Sequence, residues 1–123
     1  MPELYYEDLL TVPFKPMGRS IKEGMDCYGL CIELCRRVGK KLKDIPYSWE
    51  NHDLGTLDEN LLFVNGVEIP NPEQYAILQT DYFGELHTGF MLDSERVIHM
   101  TKKGVMLYHL SAFKKKKFFR VLE

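Results

Sequence analysis

ELHTGFMLDSERVIHMT (Glu85–Thr101) consists of two β-prone runs, Glu85–Leu92 and Arg96–Thr101, around Asp93, Ser94 and Glu95. Apolar, branched and aromatic residues on either side of a short polar turn signal a β-hairpin. If the loop is those three residues, Leu92 pairs with Arg96 and Gly89 with His99. His87 then lies diagonally across from His99 on the same face of the sheet. A two-residue loop would put the two imidazoles on opposite faces, because a slip of one residue turns every side chain over.

Working outward, Tyr75–Thr80, Val105–His109 and Lys117–Leu122 have similar β character. Turn signals such as Lys103-Gly104 separate some of them, and short connections imply antiparallel neighbours. Upstream, the pattern is helical from Asp26: Cys27, Leu30, Cys31, Leu34 and Val38 recur at spacings of three and four, which places them on one face. Asp26 is a suitable N-cap. Arg36, Arg37, Lys40 and Lys41 gather where cations suit a helix C-terminus, and Gly39 is a natural stop. The expected fold class is therefore α+β, a helix on one face of an antiparallel sheet of about five strands. The segment to Glu23 reads as an irregular or short helical lead-in. Between Lys43 and Pro72, Leu57–Phe63 reads as one short helix.

The chain has 123 residues, 45% hydrophobic and 28% charged, with net charge −2. That length supports a single domain over 1–123. The charge balance gives no electrostatic reason to bind nucleic acid or an anionic membrane, and no apolar run approaches the ~20 residues of a membrane span. Lys114–Lys117 reads as a solvated turn between strands. Met1–Asp8 is acidic, which predicts cytoplasmic synthesis without a secretory signal. The three cysteines stand at 27, 31 and 35, too crowded on one segment for a disulfide framework.

A thiol becomes a good nucleophile only on ionising, and a helix N-terminus favours the thiolate. Cys27, directly after the cap, is thus the candidate nucleophile, with its backbone N–H as an oxyanion donor. Gly29 removes a side chain beside it and would let a substrate backbone approach. Cys31 and Cys35 belong to the core. His87 would take the thiol proton and return one to the leaving amine, while His99 would hold the other ring nitrogen of His87 and fix its tautomer. Gly89 leaves room beside that ring. His52 and His109 lack a partner pattern and read as structural.

Together these residues resemble the NlpC/P60 family of cysteine peptidases. The likeness rests on Asp26-Cys27-Tyr28-Gly29-Leu30 for its Asp-Cys-x-Gly-Leu helix start, His87-Thr88-Gly89-Phe90-Met91-Leu92 for its His-x-Gly strand, and Val97-Ile98-His99 for the third member. Phe118–Leu122 looks like the family's last strand. The resemblance implies a papain-like core and cleavage of peptidoglycan stem peptides. Cys27, His87 and His99 would be nucleophile, base and orienter, with no cofactor and no metal. It also implies support or substrate contact from Asp26, Tyr28, Gly29, Gly89 and Phe14, the last standing where many members carry a tyrosine. Tyr28 after the cysteine and the absence of a leader look more like phage-tail and prophage members, whose tail proteins would be partners and would carry the enzyme to the wall. Three other readings stand beside this one. They are a thiol amidase or acyltransferase, an inactive structural tail protein, and a zinc site built from Cys27, His87 and His99.

Overall fold

The computed structural model describes residues 4–44 and 65–122; the expected helix at Leu57–Phe63 and His52 lie outside them. After a 3-10 turn at Glu7–Thr11, strands β1 (Arg19–Ser20) and β2 (Gly24–Met25) form a small antiparallel ribbon, and helix α1 spans Cys27–Arg37. The remaining strands are β3 (Gly66–Ile69), β4 (Ile77–Tyr82), β5 (Glu85–Met91), β6 (Arg96–Thr101), β7 (Gly104–His109) and β8 (Lys114–Val121). They form a six-stranded sheet in the order β3-β8-β4-β5-β6-β7, with every neighbouring pair antiparallel.

This corrects the expected fold class. Among the described residues, the chain is mainly that six-stranded sheet, with a two-stranded ribbon and a single helix of 11 residues. That is plainly different from an α+β, papain-like helix-plus-sheet core with about five strands. Two local features hid the difference. β3 is a four-residue strand with no simple alternation, held by its long-range pairing with β8. The lysines from Lys114 onward, read as a turn, are the first residues of β8. Lys114–Lys116 extend the strand with exposed side chains. Pairing of β8 with β4 shifts register between Gln79 and Asp81, where the Thr80 hydroxyl donates to the Lys114 carbonyl.

Local chemistry explains the connections. Phe83 and Gly84 join β4 to β5 with φ of 54° and 82°, the paired positive values that a two-residue hairpin turn of matching twist requires. At the next hairpin, Asp93 Oδ1 accepts from the N–H groups of Glu95 (2.9 Å) and Arg96 (2.8 Å). This side-chain turn closes a three-residue loop, with Leu92 N–H donating to the Arg96 carbonyl at 2.9 Å. The register follows, Met91 opposite Val97 and Phe90 opposite Ile98. Thr101 pairs with Gly104 across Lys102-Lys103, which sets His99 opposite Met106.

Helix α1 begins at Asp26, whose Oδ1 accepts from the Gly29 N–H at 2.7 Å. It ends with Gly39 at φ 81°, where the Lys40 and Gly39 amides bond back to the Cys35 and Arg36 carbonyls at 2.8 and 3.2 Å. The helix packs on β5 and β6. Its buried stripe of Cys27, Leu30, Cys31 and Leu34 shares one core with Leu86, Phe90, Ile98 and Met100. The residues that alternate with these on the strands, including Leu78, Met91 and Val97, join Phe113 and Phe118 in a second cluster on the opposite face.

Candidate functional site

The imidazole pair forms as the three-residue loop requires. His87 Nε2 and His99 Nδ1 are 2.9 Å apart, with the rings edge to face at 84° and centroids 5.1 Å apart. Both side chains are buried, at 4% and 0% exposure. Tyr82 stacks on His87 with centroids 4.7 Å apart. His99 is wedged against Tyr108 at 4.5 Å and Phe113 at 5.1 Å. Burial pushes His87 down to about 3, helped by the neighbouring His99, and burial alone pushes His99 down to about 4. Both rings are therefore neutral near pH 7, so one nitrogen of the pair donates and the other accepts. Because His87 uses Nε2 toward His99, its Nδ1 is the atom left for a proton from elsewhere.

Cys27 occupies the predicted place at the start of α1, directly after the cap, and it is fully buried. The structure does not bring it to the imidazoles. Cys27 packs in the core that holds Leu86, Phe90 and Ile98, whereas His87 and His99 alternate with those residues and point the other way. Both imidazoles make their contacts with each other and with aromatic rings of the far face. The backbone of the sheet thus lies between the sulfur and the rings. The same separation prevents Cys27, His87 and His99 from converging on a zinc ion. Among the described residues no group of three His, Cys, Asp or Glu side chains could hold a metal.

The supporting residues have visible structural tasks. Asp26 is wholly buried, and besides capping α1 it accepts from Arg19 Nη1 at 2.6 Å, which ties β1 to the helix start. Arg19 also reaches Asp44 at 2.7 Å. At Gly29 the space a side chain would need is filled by the Gly18 carbonyl oxygen, so this glycine serves the packing of the ribbon on α1 rather than an open approach. At Gly89 a Cβ would collide with Val97 Cγ1 and lie 3.5 Å from His99 Cβ, so the room beside the ring is already taken. Tyr28 is a core residue whose hydroxyl donates to the Lys43 carbonyl at 2.5 Å; burial raises its pKa. Phe14 is half-buried, bridges to Met25 and packs against the helix-side core, on the far side of the sheet from the imidazoles.

Cys31 and Cys35 are core residues as expected, and burial pushes the Cys35 thiol up to about 12. His109 is structural. Its Nδ1 accepts from the Ser111 N–H at 3.1 Å, capping a 3-10 turn at Leu110–Ala112. Tyr82, Tyr108 and Phe113, which enclose the imidazoles, were not singled out from the sequence. A signal for Tyr108 was present, since a two-residue turn at Lys102-Lys103 puts His99 opposite Met106 and hence Tyr108 on the same face.

No protein-family model matches this chain, and no curated protein matches it. No helix among the described residues is long and apolar enough to cross a membrane.

Proposed function

We propose that the chain is a cysteine hydrolase that cuts peptide bonds in bacterial cell-wall stem peptides, delivered to the wall by a phage-tail or prophage assembly. Cys27 is the nucleophile, His87 the base and His99 the residue that holds His87 in one tautomer. The observation that carries the reading is the His87–His99 hydrogen bond, Nε2 to Nδ1 at 2.9 Å. It is formed between the two histidines that follow an Asp-Cys-x-Gly-Leu helix start in the order of the NlpC/P60 peptidases. Kinship with those peptidases enters through this order of motifs alone. The described arrangement is not an assembled triad, because α1 and its thiol lie on the face opposite the rings. Hydrolysis therefore requires a different seating of α1 against the sheet.

The deciding experiment is incubation with purified peptidoglycan fragments, read by mass spectrometry. The native chain is expected to release a new amine terminus and Cys27→Ala none; identical products from the two would remove the hydrolase reading. An amidase or acyltransferase would show the same dependence on Cys27 but a different bond cut, or an acyl group moved to an added amine. The separation of thiol and imidazoles favours a second reading, an inactive structural protein of the tail that kept these residues for packing. Iodoacetamide labelling across pH divides the two. A thiol that reacts well below about pH 8 belongs to the enzyme, and uniformly slow labelling to the structural protein.

A further inference from the structure

The imidazole face opens into a cavity that the proposed hydrolysis does not explain. It encloses about 410 Å³, walled by Tyr82, Tyr108, Met106 and His87, with Lys102 and Lys103 of the β6–β7 turn beside them. This size is within the range of small-molecule sites, and the wall has their character, mostly apolar with a few polar groups. Among the described side chains the charge around it is one-sided. Both lysines are exposed, and no carboxylate side chain of the described residues lines the cavity. No carboxylate among them forms a salt bridge with either lysine. Thr101, which also lines the cavity, has its hydroxyl committed to the Gly104 carbonyl at 2.8 Å. Phe83 stands beside the opening at 90% exposure, its ring edge-on to Tyr82 at 4.7 Å. The turn that carries it holds φ of 54°, a conformation unusual for a residue with a side chain.

We propose that this cavity binds a small, largely apolar carboxylate, an aromatic or acyl chain ending in one acid group. The chain lies between Tyr82, Tyr108 and Met106, and the carboxylate meets Lys102 and Lys103. Aromatic and thioether walls suit such a chain because they offer polarisable surface at little entropic cost. Two ammonium groups with no carboxylate partner among the described residues select the acid over a neutral molecule of the same shape. The site needs no participation from Cys27, but it shares one wall residue, His87, with the proposed hydrolysis.

The test uses 4-phenylbutyrate and its neutral counterpart 4-phenyl-1-butanol, each titrated into the whole chain by calorimetry, with saturation-transfer NMR to show that the ring is the part in contact. The acid is expected to bind about tenfold more tightly than the alcohol, the scale of two partly solvated ion pairs. Lys102→Gln/Lys103→Gln should abolish that preference while leaving the alcohol unchanged. Both lysines are exposed turn residues, so the variant keeps its fold, and an unshifted melting temperature verifies this. Met106→Glu, which places a negative charge in the wall, should weaken the acid more than the alcohol. Equal affinity for the two probes, no saturable binding of either, or a preference that survives loss of both lysines would each overturn the proposal.

Discussion

On one face of the main sheet Leu86, Phe90, Ile98 and Met100 meet the helix; on the other, one residue away along the same strands, His87 and His99 sit among Tyr82, Tyr108 and Phe113. The helix face is an apolar core with ordinary hydrophobic chemistry. The far face buries two titratable rings that share one hydrogen bond, leave His99 Nε2 buried without a partner among the described residues, and pack against aromatic neighbours. Stability on the first face comes from area removed from water, which depends little on pH. On the second it depends on keeping two imidazoles neutral. The lesson is that one hairpin serves an apolar core on one face and a buried pair of titratable rings on the other, because strand side chains alternate.

Three measurements test this contrast. The largest effect is expected from Phe90→Ala, which empties the centre of the helix face, where Phe90 is fully buried and stacks with Tyr75 at 5.7 Å. A loss of about 3–5 kcal/mol in urea unfolding is expected, and a loss below about 1 kcal/mol would show that α1 does not seal this face.

The next effect comes from acid. The folded histidines titrate near 3 and 4 against 6.5 when unfolded, so between those values the unfolded chain binds more protons. Stability is therefore complete above the unfolded value and drains away as pH falls through this window, by about 1 kcal/mol per ring per pH unit. Urea midpoints compared at pH 7 and about pH 5.5 should fall in the native chain. In a His87→Phe/His99→Leu variant that retains its fold this part of the fall should vanish. A native profile that stays flat would mean that the rings reach water.

The smallest effect is expected from Gly89→Ala. The added methyl presses on Val97 and His99, costing on the order of 1 kcal/mol, with the His87–His99 contact loosened and the ring proton signals shifted in NMR. An Ala variant as stable as the native chain, with unmoved signals, would mean that the far face is loosely packed.

Much of the candidate site was legible before any coordinates. With a three-residue loop at Asp93, one of the two readings left open, the spacing of His87 and His99 puts both imidazoles on one face. Asp26 marked the start of α1, and Gly39 its end. What resisted reading has a common cause in ambiguous burial. β5 carries Leu86 and Phe90 on one side and Met91 on the other, and β6 carries Ile98 and Met100 against Val97. With apolar residues on both faces, period-two patterning identifies the strands but not the face that receives the helix. The membership of β3 and of Lys114–Lys116 was hidden for a related reason, since short or charged strands are held by partners far away in the chain.

By itself the sequence determined what neighbouring residues can settle among themselves: the cap on α1 and a hairpin turn at Asp93, whose three-residue form was one of two open readings and would bring the two imidazoles together. Only the tertiary structure decided that six strands share one sheet and that Cys27 and the histidines occupy opposite faces. Hydrogen bonds across a hairpin are directional and fix register within a few residues. The burial of apolar surface has no direction, so the side on which the helix docks is set by the sum of the packing.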